Sequence, residues 1–410
     1  MGAREHQPAS PDVLVIGSGG AGLQAALAAA RAGARVLLAT KLGLASSNTA
    51  KAQGGIQAAL GADDDPSVHA EDVISSSHET ADPELVEVLT GEAPAAIARL
   101  EQLGVAFTRT SEGGYRLARC GGATRKRLLQ VGDRTGHAIA TALRSAVAAH
   151  ERIETLDHAP LTSLERSENG FRATLLRKDD AGGERDVLAG AVVLAAGGRC
   201  FGEARRLGTF STNAAGATGE VTSIAVELGC ALRDYDALQH HPNGGLWPAG
   251  MQGYSIPETT RAYGALLVNG LGERFVDELA PRDVVAAAIV RECEEGRGVE
   301  TPDGRQSVLL DCRPIAPEDA EISLPYMLRR YRAAGIDPLT TPIHTYPVLH
   351  YQNGGLVIDR DGQTTIEGVY AAGEITGGVH GRNRMMGNSL LDCAVFGARA
   401  GRAAANAASC

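Results

Sequence analysis

The sequence predicts an α/β fold, and three features of its 410 residues support this prediction. The first is an apolar run near the N-terminus that turns through closely spaced glycines into an alanine-rich stretch. The second is a content of 51 glycines, and the third is an aromatic content of only 4%. Tight turns and close backbone approaches are typical of α/β proteins that bind nucleotides. A chain of this length can form a large core and two or three structural units.

The N-terminal stretch DVLVIGSGGAGLQAALAAARAGARVLLAT indicates a strand, a turn, a helix and a second strand. Val13–Ile16 is continuously apolar, as in a parallel strand buried on both faces. Gly17, Gly19 and Gly22 then form a G-x-G-x-x-G motif. In a Rossmann-like unit the first glycine permits the turn, the second admits a pyrophosphate, and the third lets helix and strand pack closely. The motif predicts a dinucleotide site at a helix N-terminus.

The end of the second predicted strand carries Thr40 and Lys41. A Rossmann unit that binds NAD usually has Asp or Glu near this position, where the acid binds the ribose. The sequence therefore disfavours NAD, and a hydroxyl is available in place of the carboxylate.

Two later segments favour FAD. VVLAAGG, residues 192–198, predicts an apolar strand that ends in a diglycine with Gly198. TTIEGVYAAGE, residues 364–374, resembles the flavoprotein pattern T-x4-apolar-Y-A-x-G-D, with Thr364 at its start and Glu374 in the place of the acid. By this resemblance Glu374 binds the ribityl or pyrophosphate part of FAD. The alternative is an ordinary strand and turn.

The composition disfavours several other classes of protein. A net charge of −10 argues against a nucleic-acid partner. The seven cysteines are scattered, with no CxxC or CxxCH motif, so we expect no disulfide framework, metal site, iron–sulfur cluster or attached haem. The N-terminus lacks a signal-peptide core and no apolar run is long enough to span a membrane. The expected compartment is the cytoplasm.

Five further segments carry a more specific resemblance: SSNTAKAQGGIQAAL, QHHPNGG, PETTRAYGALLVNGLGERFVDELAPRD, LHYQNGG and GEITGGVHGRNRMMGNSL. In this order they resemble the flavoproteins of the succinate dehydrogenase, fumarate reductase and L-aspartate oxidase family, over residues 11–402. The resemblance implies a discontinuous, Rossmann-like FAD-binding domain at residues 10–234 and 345–410. An α+β capping domain would be inserted at residues 235–344. Within this segment the sequence pattern itself predicts helices at residues 281–295 and 324–334.

The resemblance, together with the glycine motif, gives the predicted set of cofactor-binding residues. These are Gly17, Gly19, Gly22, Thr40, Lys41, Ser47, Asn48, Thr49, Gly54, Gly55, Gly198, Glu220, Glu374, Asn388, Ser389 and Leu390. Several family members hold FAD covalently through a His at the position of Asn48. Because Asn cannot form that bond, we expect noncovalent FAD.

The same resemblance implies a small dicarboxylate substrate beneath the cap, bound by His241, His350 and Arg384. An arginine can hold a carboxylate bidentately, and each imidazole can donate a hydrogen bond. Arg282 matches the family's proton donor, and Glu258 and Arg261 match residues that return protons to it. Each role has a structural alternative. His350 can be an ordinary core histidine, and Arg384 can be a surface arginine. Glu258 and Arg261 can form a local ion pair, and Arg282 can cap a helix.

Several positions depart from the family pattern. Cys120 stands where L-aspartate oxidases have an acid that meets the substrate's amino group, and a neutral thiol cannot pair with ammonium. This favours an unaminated dicarboxylate, although Cys120 can equally be a small packed residue. Pro257 and Tyr263 replace residues that are usually polar, and Glu220 replaces Asp. Arg382 stands where a small residue is usual, and it either adds positive potential or faces solvent.

The leading interpretation is an FAD-dependent fumarate reductase or succinate dehydrogenase-type enzyme. The alternatives are L-aspartate oxidase, a flavin reductase acting on another unsaturated acid, and a flavin electron-transfer or assembly subunit without turnover. With no haem or cluster motif, the chain is expected to exchange electrons with a separate partner, such as a quinone, O2 or an iron–sulfur subunit.

Overall fold

The computed structural model describes residues 10–177 and 182–409; the polar N-terminal stretch 1–9 and Cys410 lie outside them. The strands are β1 (Val13–Ile16), β2 (Val36–Ala39), β3 (Ile56–Gln57), β4 (Leu128–Leu129), β5 (Ile153–Leu156), β6 (Leu161–Ser167), β7 (Gly170–Leu176), β8 (Glu184–Ala189), β9 (Ala191–Leu194), β10 (Leu232–Arg233), β11 (Leu238–Gly245), β12 (Leu266–Val268), β13 (Val299–Glu300), β14 (Gln306–Asp311), β15 (Ile343–Gln352), β16 (Gly355–Val357), β17 (Val369–Ala371) and β18 (Thr376–Gly377).

In the described residues the helices lie between or after these strands, singly or in groups of two or three. They are α1 (Gly20–Arg31), α2 (Asn48–Lys51), α3 (Pro66–Ser76), α4 (Pro83–Gly91), α5 (Ala93–Gln102), α6 (Thr135–Ala148), α7 (Cys200–Leu207), α8 (Glu220–Glu227), α9 (Thr259–Ala262), α10 (Arg282–Glu294), α11 (Pro317–Ser323), α12 (Pro325–Ala333) and α13 (Asn388–Ala408), with a short 3₁₀ helix at Ala249–Met251.

A five-stranded parallel sheet with the order β17-β9-β1-β2-β5 forms the centre of the larger unit. Val13 at the start of β1 pairs in register with Val36 of β2 on one side and with Ala191 of β9 on the other. All residues of β1, β2 and β9 are buried, which is why these strands are apolar throughout. The predicted first strand, Val13–Ile16, is confirmed to the residue.

Helices α1 and α13 pack against each other beside this sheet at very short backbone separation. A Cβ atom on Gly401 would lie 2.2 Å from the carbonyl oxygen of Ala25, and one on Gly397 would lie 2.7 Å from that of Ala21. At these two positions only glycine permits the approach, because even the methyl group of alanine would clash. The packing fixes the N-termini of α1 and α13.

A second hydrophobic core surrounds a sheet with the order β11-β15-β14-β12. Helices α10 and α12 pack here, for example through Val285 and Ile289 of α10 and Leu328 of α12. The helices predicted at 281–295 and 324–334 are thus confirmed to within one residue at each end. The proposed domain boundary at 344–345 falls inside β15 and stays a prediction.

Three smaller sheets in the described residues have the orders β10-β16-β18, β6-β7-β8 and β3-β4. Within residues 10–177 and 182–409, no helix combines the length and the apolar character needed to cross a membrane.

Candidate active site

A cavity of about 480 Å³ lies between the glycine-rich turn of β1 and the second core. The predicted cofactor residues that line it are Gly17, Gly19, Thr40, Lys41, Ser47, Asn48, Thr49, Gly54, Gly55, Glu220, Glu374, Ser389 and Leu390. The predicted catalytic residues that line it are His241, Glu258, Arg282, His350 and Arg384. Thus 18 of the 22 predicted site residues share one cavity, although they come from segments spread over more than 370 positions of the chain.

The glycine turn fits a bound pyrophosphate. Gly17 has φ +111°, and a Cβ on Gly22 would lie 1.8 Å from the carbonyl oxygen of Gly17, so Gly22 serves helix–strand packing and does not line the cavity. A Cβ on Gly19 would meet only the Thr49 hydroxyl, at 3.7 Å. Gly19, the N-cap residue of α1, has no side chain to cap the helix, and the N–H of Gly20 donates to the Thr49 hydroxyl at 2.9 Å. The positive end of the helix dipole therefore meets the cavity beside Thr49, an environment that suits phosphate.

The strand end at Thr40 and Lys41 is completed by an acid from α8. The Ser18 hydroxyl donates to the Thr40 hydroxyl at 3.1 Å, while the Lys41 ammonium lies 2.6 Å from a carboxylate oxygen of Glu220. Burial raises the pKa of Glu220, but the hydrogen bonds from Lys41 and Thr218 outweigh it and leave the pKa below its usual value. A carboxylate is therefore present in this part of the cavity, although β2 itself does not supply one.

Asn48 and Glu374 are bonded to each other at the wall of the cavity. The Asn48 amide donates to Glu374 Oε2 at 3.1 Å and its oxygen accepts from the N–H of Ala214 at 2.7 Å. The N–H of Gln352 donates to Glu374 Oε1 at 3.1 Å, yet burial raises the pKa of Glu374 to about 7. Gly198 does not line the cavity; a Cβ there would lie 2.8 Å from Glu374 Oε1, so glycine leaves space for this carboxyl.

Asn388 and Arg261 also lie behind the cavity wall. Asn388 is the first residue of α13 and is fully buried, with its side-chain oxygen 3.1 Å from Nε2 of His69. Arg261 is buried, with one guanidinium nitrogen 3.4 Å from Glu258 Oε2. Both residues can act on the cavity only through their neighbours.

The two predicted substrate histidines stand side by side, with ring centroids 5.2 Å apart. Burial, with a further contribution from Arg282, lowers the pKa of His241 to about 3 and holds that of His350 well below its usual value, so both rings are neutral near pH 7. His241 Nε2 donates to the carbonyl oxygen of Ile256 at 2.7 Å, and its Nδ1 is buried without a hydrogen-bond partner in the described part of the chain.

The two histidines therefore differ as hydrogen-bond donors. His350 Nδ1 lies 2.7 Å from the Thr212 hydroxyl, and if the hydroxyl donates, the Nε2–H of the neutral ring stays free for a ligand. His241 has already committed its only proton to a backbone carbonyl. Donation from His241 to a carboxylate thus requires the ring to take up a second proton, which a nearby negative charge favours.

Arg384 is buried and stacked over Tyr351, with its guanidinium carbon 4.3 Å from the ring centroid. One nitrogen donates to the carbonyl oxygen of Met385 at 3.2 Å. Burial lowers the pKa of Arg384 to about 10, which still leaves it charged near pH 7. Among the described residues no carboxylate forms an ion pair with it. A buried, unpaired guanidinium in a cavity is suited to an anionic ligand.

Glu258 connects two arginines at the same end of the cavity. Its Oε2 lies 2.7 Å from Arg282 Nε and 3.4 Å from an Arg261 nitrogen. Burial alone would raise the pKa of Glu258, but the two guanidinium groups outweigh it and hold the pKa at about 2. Arg282 is the first residue of α10 and lines the cavity, whereas Arg261 lies behind Glu258. The order Arg261, Glu258, Arg282 thus leads from the interior of the cap to the cavity.

Gln239 is a site residue that the sequence reasoning missed. Its side-chain oxygen accepts from Arg282 at 3.2 Å, and its amide donates to the carbonyl oxygen of Arg384 at 2.9 Å. Gln239 therefore connects α10, through Arg282, to the loop that carries Arg384. The sequence does contain one indication of this role. Gln239 lies two residues before His241, and residues two apart on a strand share a face.

The departures from the family pattern lie at different distances from the cavity. Pro257 lines it, whereas Tyr263 donates to Gln130 outside it. Cys120 is buried and accepts from the Gln57 amide at 3.3 Å without lining the cavity, and burial raises the pKa of its thiol to about 12. Arg382 is half-exposed and pairs with Asp234 and Asp236 at the surface.

Comparison with known proteins agrees with this geometry. Residues 12–390 match the family described as an FAD binding domain. A fumarate reductase (CoM/CoB) subunit of Methanothermobacter marburgensis is 37% identical over 407 residues, which cover 96% of this chain and 72% of that protein. An L-aspartate oxidase of Streptomyces coelicolor is 37% identical over 417 residues, with 97% and 70% covered. This chain belongs to the fumarate reductase and L-aspartate oxidase family of flavoproteins.

The flavoprotein also shares its architecture with solved members of the family. A structure of an Escherichia coli quinol fumarate reductase mutant matches with a TM-score of 0.89 at 29% identity, over 97% of this chain and 70% of that chain. The predicted Rossmann-like domain with an inserted cap is thereby confirmed, as is FAD as the cofactor. The protein is an FAD-dependent oxidoreductase.

Proposed function

We propose that this flavoprotein interconverts a C4 dicarboxylate and its unsaturated partner, as fumarate reductases and succinate dehydrogenases do. The observation that carries the proposal is Arg384, a buried guanidinium without a carboxylate partner in the described part of the chain. It lies in the same cavity as His241, His350 and Arg282. The two guanidinium groups and the two imidazoles lie near the carboxylate of Glu258, which pairs with Arg282. Such a set of cations and hydrogen-bond donors suits a ligand with two carboxylates.

The substrate-binding roles follow from the hydrogen bonds that remain available. Arg384 holds one carboxylate, and its stacking on Tyr351 limits the orientations of the guanidinium. His350 donates to the substrate from the nitrogen that Thr212 leaves free. His241, once protonated, donates from Nδ1. These donors draw electron density toward the carboxylates and make the double bond more electrophilic.

Proton delivery uses the cap. When bound, FAD supplies the hydride-transfer chemistry, and fumarate reduction then consumes two electrons and two protons in total. Arg282 donates a proton to the substrate carbon, Glu258 returns one to Arg282 across 2.7 Å, and Arg261 supplies Glu258 from behind. The burial of all three residues keeps water away from this route.

We also propose that FAD is held without a covalent bond. Asn48 occupies the position where several relatives carry the linking His, and its amide is already bonded to Glu374 and Asn213. These contacts give Asn48 a role in shaping the wall of the cavity.

L-aspartate oxidase is the second candidate, because several curated relatives with that name are 35–37% identical to this chain. Such a substrate needs an acid beside its amino group. Two cavity-lining carboxylates interact with Arg384, and both are already engaged: Glu258 pairs with Arg282, and Glu374 accepts from Asn48 and from the N–H of Gln352. Cys120 lies outside the cavity as a neutral thiol. These contacts favour a substrate without an amino group.

The deciding experiment is anaerobic. The protein-bound flavin is reduced with dithionite, and fumarate or another enoate is then added while the flavin spectrum is followed. Rapid reoxidation by fumarate supports the proposal. In the converse arm, reduction of oxidised flavin by L-aspartate but not by succinate would assign the oxidase activity. A flavin that responds to none of these compounds would indicate an electron-transfer or assembly subunit.

A further inference from the structure

Three arginines from two helical segments surround one tyrosine at the surface of the protein. The guanidinium carbons of Arg134 and Arg329 each lie 5.3 Å from the Tyr326 ring centroid, and that of Arg330 lies 6.0 Å from it. Arg134 and Arg329 are exposed, and Arg330 is partly buried. We call these four residues the Tyr326 patch. Cation–π contacts hold the guanidiniums near the ring but do not neutralise their charge.

Nearby acids do not cancel the charge of the patch. Within residues 10–177 and 182–409, none of the three arginines has a carboxylate within ion-pair distance. Asp133 is buried and accepts from the backbone N–H groups at the start of α12, including that of Tyr326 at 2.9 Å. Asp319 and Glu321 are each paired with an arginine outside the patch. On a chain with net charge −10, the patch is a local cationic surface.

The patch is connected to the flavin cavity by two short routes. Thr135, the first residue of α6, donates to the carbonyl oxygen of Gly54 at 2.7 Å. On the other side, the guanidinium of Arg330 lies 4.7 Å from the ring centroid of Tyr254, whose hydroxyl is bonded to Gln53. Gln53 and Gly54 both line the cavity. Only one layer of residues therefore separates this cationic surface from the cofactor site.

We infer that the Tyr326 patch docks an acidic protein that carries one electron at a time. This inference rests on the proposed function, because the oxidoreductase must exchange electrons with a partner. Charge complementarity identifies the partner's surface as acidic, and the net charge of −10 repels such a partner at long range unless a cationic patch faces it. Two reduced carriers each lose one electron, and the substrate gains these two electrons together with two protons.

The test uses full-length protein with FAD and a plant-type [2Fe–2S] ferredoxin, an acidic protein, as the probe. Stopped-flow absorbance measures the second-order rate of flavin reduction by reduced ferredoxin at several salt concentrations. The Arg329→Gln/Arg330→Gln variant is expected to react about 10-fold more slowly at low salt, and the difference should vanish near ~0.5 M salt. Arg205→Gln/Arg402→Gln is the matched control, because it removes two arginines for which no carboxylate partner is found in the described chain.

A second donor separates this inference from the proposed function. Reduced methyl viologen is a small cation, so the patch substitutions should leave viologen-driven fumarate reduction unchanged or slightly faster. Absence of that activity in the unmodified protein would count against the proposed function, while the ferredoxin rates would still test the patch. Equal losses in the patch variant and its control, or a rate without salt dependence, would overturn the inference. Patch-dependent binding to anionic lipid vesicles with unchanged ferredoxin rates would overturn it as well.

Discussion

Replacing Glu258 by Gln removes the charge between Arg282 and Arg261 and nearly preserves the shape of the side chain. Because Glu258 has a pKa of about 2 against an ordinary value of 4.5, its ionised form contributes up to about 3 kcal/mol of stability. The pKa is lowered in the folded state, so this contribution is complete above pH 4.5 and is lost as the pH falls toward 2. At pH 7 the free energy of unfolding of Glu258→Gln should therefore be lower by up to about 3 kcal/mol.

The effect on turnover should be larger than the effect on substrate binding. An amide cannot accept a proton from Arg261 and pass it to Arg282, and positioned acid–base groups contribute roughly 10²–10⁴-fold to rate. We therefore expect kcat for fumarate reduction to fall at least about 100-fold, with little change in KM or in FAD content. The assay is viologen-driven fumarate reduction at pH 7, with urea unfolding of the same preparations.

Glu292 provides a matched control in the same cap. It is a buried carboxylate that accepts from Arg297 at 2.6 Å and from Asn269 at 2.9 Å, but it does not line the cavity. Glu292→Gln should lose stability and keep kcat. If Glu258→Gln retained full kcat, or if both variants lost kcat in proportion to their stability, the proton route would be wrong and Glu258 would be a structural ion-pair residue.

Four further outcomes follow from the site. Arg384→Ala should keep FAD and weaken binding of the dicarboxylate malonate by about 2–4 kcal/mol, measured by titration calorimetry, because a buried charged contact is lost. Because His241 must take up a second proton to donate to the ligand, malonate binding at pH 7 should be accompanied by uptake of about one proton. Calorimetry in buffers of different ionisation enthalpy measures this uptake, and the His241→Gln variant should not show it. Acid precipitation should release the yellow chromophore into the supernatant, since Asn48 forms no flavin bond; colour in the pellet would refute this. In the apoprotein, the pKa of Glu374 is raised from 4.5 to about 7. The free energy of unfolding should therefore fall by about 3 kcal/mol as the pH rises through this window. Urea unfolding at pH 5 and at pH 7.5 should show this fall in the unmodified protein but not in the Glu374→Gln variant.

The flavin end of the site was predictable from the sequence because its determinants are local. The left-handed φ of Gly17 belongs to the turn itself, and the packing at Gly22 depends on the carbonyl of Gly17 in the same strand–turn–helix unit. The helices beginning at Arg282 and Pro325 were placed to within one residue because each follows or includes a proline. In these cases the residues that determine the structure are neighbours in the sequence as well as in space.

The hydrogen bonding at the substrate end was not predictable in the same way. The commitment of His241 to the carbonyl of Ile256 depends on a backbone group 15 residues away, and backbone carbonyls leave no trace in composition or motif. Gln239 joins Arg282 to a loop 145 positions further along the chain. The resemblance placed these residues in one site, but only the structure shows which hydrogen-bonding atoms are already occupied.

The cost of burying charge is a reason to assign the cationic end of the cavity to function. Removing an ion from water costs several kcal/mol, and buried ion pairs can often be replaced by apolar residues without loss of stability. Arg261 and Arg282 share a single carboxylate, that of Glu258, and Arg384 has none among the described residues. Packing alone gives no reason to retain this excess of positive charge. A dianionic ligand would offset it, so the same arrangement that is unfavourable in the free protein favours binding of a dicarboxylate.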